Sequence, residues 1–89
     1  MKMYHIFVSG IVQGVSFRSF TLVHALELGI KGWVRNTDDD KVEIVAECSE
    51  SQLRKFLEKL KVGPRLAKVY DIKIEEEEPT GEFDSFEQG

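Results

Sequence analysis

The order in which extended and helical patterns alternate constrains the fold of this chain more than any other feature of its sequence. Residues 2–9 alternate as a strand does and carry apolar side chains on both faces, which favours a central place in a sheet. Residues 17–28 have helical spacing and precede Gly29, a residue type that often ends a helix. Residues 30–36 and 42–48 predict two strands joined by a polar turn. The first half of the chain is therefore predicted to run strand, helix, strand, strand.

The second half adds a helix and a strand, and its helix has the clearest signals in the sequence. Ser49 is predicted to cap this helix, and Gln52, three residues later, completes a capping box. An apolar stripe at positions i, i+3, i+4 and i+7 follows, formed by Leu53, Phe56, Leu57 and Leu60. Residues 67–75 then predict a fourth strand, and Phe83 with Phe86 allows a brief fifth.

An order of β-α-β-β-α-β predicts an α+β fold of the ferredoxin-like type, in which two helices cover one face of an antiparallel sheet. The strand order in such a sheet is 4-1-3-2, with a short fifth strand as an addition. Strands 1 and 2 then point the same way, so the loops that follow them meet at one edge of the sheet. The chain has no repeat, linker or shift of composition, so residues 1–89 are predicted to form a single domain.

The composition of the chain excludes several classes of function. A net charge of −4 argues against a nucleic-acid partner, because proteins that bind nucleic acid usually carry a basic surface. With one cysteine, Cys48, and only His5 and His24 as histidines, neither a disulfide framework nor a metal site is expected. No membrane-length apolar run and no signal peptide are recognised. The sequence predicts a cytoplasmic protein without a membrane partner.

The stretch from Gly10 to Arg18, with the sequence GIVQGVSFR, connects the first strand to the first helix. Gly10 and Gly14 let the backbone turn sharply and direct successive N–H groups inward. The helix adds its free N–H groups and the positive end of its dipole, so the stretch predicts an anion site suited to phosphate. Arg18 is a cation in the first turn, where the dipole disfavours it, and a bound anion would offset that cost. A solvated arginine at an ordinary turn is the alternative, and the pattern alone does not separate the two.

The first helix is apolar on nearly every side, with Leu22, Val23 and Leu26 outside the stripe that begins at Phe17. Wide burial is the favoured explanation, and the protein is then expected to be a monomer. Self-association through an exposed strip of Leu22 and Leu26 is the alternative.

Two segments of the chain resemble the motifs of the acylphosphatases. Residues 10–18 match the family's pattern G-x-V-Q-G-V-x-F-R, and residues 32–36 match G-W-V-x-N. The order of strands and helices agrees with the family over essentially the whole chain. The resemblance implies that Arg18 and the neighbouring loop amides hold the phosphate and that Asn36 positions the attacking water. The catalytic residues so implied are Arg18 and Asn36, and the substrate-binding residues are Gln13, Gly14, Val15, Ser16, Phe17 and Arg18.

The reaction implied by this resemblance is hydrolysis of an acyl phosphate to a carboxylate and inorganic phosphate. A carboxylate leaves without being protonated, and a water held in line serves as the nucleophile, so no strong general acid and no nucleophilic side chain are needed. Positioning and charge stabilisation remain, and these dominate phosphoryl transfer. We therefore expect an enzyme that acts on a small acyl phosphate with no cofactor and no metal.

The chain departs from the family pattern only outside the implied chemistry. Asp40 stands where a glycine is usual after the second motif, and aspartate tolerates the left-handed conformation better than most residues. Cys48 replaces another frequent glycine, and residues 87–89 lack the apolar or aromatic character that the family's last strand often has.

Two other functions remain open. The chain also resembles the N-terminal module of the hydrogenase-maturation carbamoyltransferases, so a module that handles carbamoyl phosphate is one alternative. A non-catalytic module that binds phosphate or another anion is the second, because ferredoxin-like domains often only bind. Such a module would keep Arg18 but would not need Asn36.

Overall fold

The computed structural model describes residues 1–89 and contains the predicted elements in the predicted order. They are β1 (Lys2–Ile11), α1 (Phe17–Glu27), β2 (Lys31–Asn36), β3 (Val42–Cys48), α2 (Glu50–Val62), β4 (Lys68–Glu77) and β5 (Phe86–Gln88). The sheet has the order β4-β1-β3-β2-β5, which confirms the predicted order 4-1-3-2. β5 pairs in parallel with β2, whereas all other pairs are antiparallel, so the fifth strand makes the sheet mixed.

The core lies between the two helices and one face of the sheet. Alternate side chains of β1 and β3 face it, and the register pairs Ile6 with Ile44 and Val8 with Val42 across the two central strands. Both helices add large side chains from their inner faces. The fully buried side chains include Ile6, Val8, Phe17, Ile30, Val34, Ile44, Phe56 and Leu60. Each contributes roughly 1.5–3 kcal/mol through burial, which makes this face the main source of stability.

α2 begins as its sequence predicts. The Ser49 hydroxyl accepts from the backbone N–H of Gln52 at 3.1 Å, and the Gln52 side chain accepts from the Ser49 N–H at 2.8 Å, so the capping box is complete. Phe56 and Leu60 of the predicted stripe are fully buried, and Leu53 and Leu57 pack against the core from its margin.

α1 is buried less widely than predicted. Its buried residues are Phe17, Thr21 and Ala25, a single stripe of four-residue spacing, while 52% of Val23 and 53% of Leu26 is exposed. The prediction of wide burial is therefore wrong for these two residues. α1 packs against β2, β5 and α2, so its remaining face meets solvent. No helix in the structure is long and apolar enough to cross a membrane.

The strand ends differ from prediction at several places. β1 continues to Ile11 past a bulge between Ser9 and Gly10, and β4 runs from Lys68 to Glu77 rather than over 67–75. Phe83 lies outside any strand. A side chain at position 10 would approach the Lys68 carbonyl oxygen to 2.0 Å, so only glycine lets β4 lie this close to β1.

Residues 78–85 connect one edge of the sheet to the other, and a buried carboxylate holds this crossover in place. Glu47 of β3 is 4% exposed, and its Oε2 accepts from the backbone N–H groups of Thr80 and Gly81, each at 3.1 Å. The crossover thereby delivers β5 to its position beside β2, which is how the end of the chain reaches the site described next.

Candidate active site

The loops that follow β1 and β2 meet at one edge of the sheet and border a cavity of about 310 Å³. Its lining residues are Val12, Gly14, Ser16, Phe17, Arg18, Ser19, Asn36 and Gln88. The structure thus brings together Arg18 and Asn36, which are 18 positions apart in sequence, with part of the predicted loop. Gln13 and Val15, which belong to the predicted binding set, are not among the lining residues. A volume near 300 Å³ suits a small ligand.

The loop turns through two left-handed positions before α1 begins. Gly14 has a φ of 74°, and Ser16, the N-cap residue, has φ 65° and ψ 23°. The Ser16 side chain makes no capping hydrogen bond, and the first turn carries no acidic residue. The backbone N–H groups of residues 13–16 donate to no backbone carbonyl. This helix start therefore keeps its N–H groups available for an anion in the cavity.

Arg18 is the second residue of α1 and is half-buried at the wall of the cavity. Its Nη1 donates to the backbone oxygen of Gly89 at 2.5 Å. A guanidinium has five N–H donors, so this contact orients the side chain and leaves donors for a ligand. The charge of Arg18 and the positive end of the α1 dipole both favour an anion at this wall, although the chain carries a net charge of −4.

Asn36 ends β2, and its Oδ1 atom is buried without a hydrogen-bond partner. A buried acceptor left unpaired costs roughly 1–3 kcal/mol, and such atoms are rare in folded proteins. Because Asn36 lines the cavity, a donor bound there would satisfy this oxygen.

Gln13 links the loop to the turn after Asn36. Its Nε2 donates to the backbone oxygens of Thr37 and Lys41, each at 2.9 Å. Asp40 completes that turn with a φ of 66°, in the left-handed region expected for the glycine it replaces. The resemblance implied only a loop amide at Gln13, so the role of its side chain was missed.

Ser19 and Gln88 line the cavity although sequence reasoning singled out neither. The Ser19 hydroxyl donates to Gln88 Oε1 at 3.5 Å, and Gly89 N–H donates to the Val34 oxygen at 2.7 Å, which ties this end of the chain to β2. No local pattern in the sequence predicts that Gln88 lines a cavity. It lies in a three-residue strand, and the position of that strand depends on the crossover of residues 78–85.

The thiol of Cys48 takes no part in this site. Cys48 is fully buried in the core, and burial raises its pKa to about 11, which keeps it protonated and unreactive. No three or more His, Cys, Asp or Glu side chains in the structure are arranged so that they could hold a metal ion.

Comparisons with known proteins agree with this geometry. The acylphosphatase family model matches residues 4–88. The acylphosphatase of Bacillus licheniformis is 46% identical over 88 residues, which cover 99% of this chain and 94% of that protein. The crystal structure of acylphosphatase from Bacillus subtilis superimposes with a TM-score of 0.96 at 40% identity and covers 100% of this chain and 99% of that one.

A larger protein contains a similar unit. The crystal structure of T. kodakarensis HypF matches with a TM-score of 0.87 at 40% identity, and the match covers 100% of this chain but 12% of that one. The assignment rests on the two acylphosphatases, because those matches cover nearly the full length of both proteins. The fold is ferredoxin-like, as predicted, and the chain belongs to the acylphosphatase family, whose members are hydrolases.

Proposed function

We propose that this enzyme hydrolyses its acyl phosphate substrate by in-line attack of a water held by Asn36. The phosphate is held by Arg18 and by the loop amides of residues 13–17. The carboxyl–phosphate bond breaks, the carboxylate leaves, and inorganic phosphate is the second product. Family membership supports the substrate class and the overall reaction.

The observation that carries this proposal is the unpaired Oδ1 of Asn36 in the wall of the cavity that Arg18 also lines. A carboxamide oxygen accepts a hydrogen bond from a water and turns the lone pair of that water toward the phosphorus. Because no protein group donates to this oxygen, it is free to accept from a water in the cavity and to hold that water in one orientation.

The phosphate half of the site needs positive charge and N–H donors, and α1 supplies both. The loop amides and the guanidinium neutralise charge on the non-bridging oxygens as the bond to the leaving group lengthens. These donors are already oriented by the left-handed turns and by the contact of Arg18 with Gly89, so little reorganisation accompanies the reaction.

We also infer that residues 1–89 act as one monomeric domain in the cytoplasm, without a cofactor or metal. The family model spans nearly all of this range, which supports one domain. Leu22 packs against the core while Leu26 is half-exposed, so the two do not form a continuous apolar strip for self-association. A single buried cysteine suits a reducing compartment.

The test is hydrolysis of acetyl phosphate by the purified protein with EDTA present, beside Asn36→Ala and Arg18→Ala. Asn36→Ala should lose roughly 10²-fold in kcat while inorganic phosphate still inhibits at the parent's concentration, because only the water loses its partner. Arg18→Ala should lose both activity and inhibition by phosphate. Arg54→Ala, which removes an exposed arginine from the outer face of α2, is the matched control and should behave as the parent does.

Two results would contradict the proposal. Equal turnover by Asn36→Ala and the parent would show that Asn36 does not hold the water. A folded parent that binds phosphate and hydrolyses nothing would favour the anion-binding module instead.

A further inference from the structure

The cavity lining divides into a part assigned to phosphate and water and a part that has no role yet. Arg18, Asn36 and the loop form the first part. Ser19 and Gln88 form the second, and they contact each other at 3.5 Å, near the long limit of a hydrogen bond. Val12, which also lines the cavity, is only 1% exposed and offers almost no surface.

Ser19 and Gln88 lie beside the residues proposed to hold the phosphate and the water. Ser19 follows Arg18 on the first turn of α1, and Gln88 of β5 pairs with Val34 of β2, two residues before Asn36. The acyl group is covalently attached to the phosphate and must extend from the phosphate position along the cavity. Ser19 and Gln88 form the part of the lining that remains for the acyl group to contact.

Both side chains offer hydrogen-bonding groups to whatever lies against them. A serine hydroxyl has one donor and two acceptor positions, and a glutamine carboxamide has two donors and an acceptor oxygen. Their mutual contact uses one donor and one acceptor position. Because both residues are solvent-exposed, they keep these groups hydrated until a ligand arrives.

We infer that Ser19 and Gln88 bind the acyl half of the substrate and select acyl phosphates whose acyl part carries hydrogen-bonding groups besides its carbonyl. This inference rests on the proposed function. An apolar acyl group would displace water from two polar side chains without forming hydrogen bonds to them, whereas a polar group replaces the lost hydrogen bonds.

The experiment compares two substrates of the same shape, acetyl phosphate and carbamoyl phosphate, which differ by a methyl group against an amino group. The measured quantity is the ratio of kcat/KM for carbamoyl phosphate to that for acetyl phosphate. Taking the variant's ratio relative to the parent's cancels the intrinsic difference in reactivity. In Ser19→Ala and in Gln88→Leu the ratio should fall about five- to tenfold, the worth of one hydrogen bond at a solvated site.

Controls separate selectivity from damage to the site. Glu87→Leu introduces the same leucine at the neighbouring residue of β5, whose side chain does not line this cavity. The charge it removes acts alike on both substrates, so it should keep the parent's ratio. Ser19→Ala leaves β5 and its backbone contacts unaltered, so it tests the inference if Gln88→Leu loosens that strand. Inhibition by inorganic phosphate should be the same in all variants.

The outcomes distinguish this inference from the proposed function. If the parent hydrolyses both substrates and neither variant changes the ratio, the acyl-selecting role is wrong and the enzyme stands. If the folded parent hydrolyses neither substrate, the proposed function and this inference both fail.

Discussion

The two helices of this protein begin in opposite ways. α2 satisfies its own N-terminus through Ser49 and Gln52 and places Glu50 in its first turn. α1 begins at a left-handed Ser16 with no side-chain cap and places Arg18 where an acidic residue would be favourable. The N-terminus of α1 borders the cavity, whereas Ser49 at the start of α2 is exposed to solvent.

This difference shows that a helix N-terminus can either bind a ligand or stabilise the fold. A missing cap costs roughly 1 kcal/mol, and a cation in the first turn costs a few tenths to 1 kcal/mol more. α1 carries both costs and keeps its donors for a ligand. α2 has neither cost and contributes to stability alone.

Among changes that test the contrast between the two helix starts, Ser16→Asp should give the largest effect, because it places a negative charge where the phosphate is proposed to bind. Aspartate tolerates the left-handed conformation at this position. Two charges about 4 Å apart interact by roughly 4 kcal/mol at an effective dielectric of 20, and solvent at this exposed residue reduces that to about 2 kcal/mol. The inhibition constant of phosphate and the KM for acetyl phosphate should therefore rise about 30-fold, as measured by steady-state kinetics.

Ser49→Asp is the matched change at the other helix, and it should leave both constants as in the parent. Unchanged inhibition by phosphate in Ser16→Asp would mean that the α1 terminus is not the anion site.

Ser49→Ala should give the next largest effect, on stability rather than on activity. Loss of the capping hydroxyl costs about 1 kcal/mol, which corresponds to a fall in Tm of roughly 4–8 °C for a domain of this size. Urea unfolding and acetyl phosphate hydrolysis measure the two properties separately. Ser16→Ala removes no capping bond and should cost much less stability, and an equal loss in both variants would remove the contrast between the helices.

Glu50→Gln should give the smallest effect, and it should depend on pH. The hydrogen bond and charge of Lys2 at 2.8 Å hold the pKa of Glu50 below its usual 4.5. A lowered folded-state pKa stabilises the protein above the unfolded value and ceases to do so as the pH falls through the folded one. We therefore expect a small loss of unfolding free energy at pH 7 that vanishes as the pH falls below the folded-state pKa of Glu50.

Glu58→Gln provides the control for that pH dependence. Glu58 is an exposed residue on α2 without an ion pair, and its replacement should change stability equally little at both ends of this pH range. A loss in Glu50→Gln that persists unchanged to low pH would rule out the charge pairing as its cause.

Local signals explain why so much of the fold was predictable. The capping box of α2 and its stripe ending at Leu60 depend on residues within one or two turns of each other. The order of the elements then permits few sheet topologies, and this brings the loops carrying Arg18 and Asn36 to one edge.

The features that escaped prediction depend on residues distant in sequence. The side chain of Gln13 has donors that any acceptor would satisfy, and only the folded sheet brings the Thr37 and Lys41 oxygens within reach. The exposure of Val23 and Leu26 follows from α1 packing near the β2–β5 edge, which helical spacing cannot foretell. Gln88 reaches the cavity for the same long-range reason.

The hydrogen bonds from Thr80 and Gly81 to Glu47 divide the crossover into two parts. The part before Thr80 is almost fully extended, whereas the part after Gly81 has chain length to spare. Four strand spacings separate β4 from β5, about 19 Å in all, and β3 with Glu47 lies midway. Only three residue steps, roughly 10 Å at full extension, lead from Glu77 to Thr80, while five lead from Gly81 to Phe86. We therefore expect insertions and deletions to be tolerated between residues 82 and 85. Deletion of one residue before Thr80 should instead break the hydrogen bonds to Glu47 or the last pairs between β4 and β1.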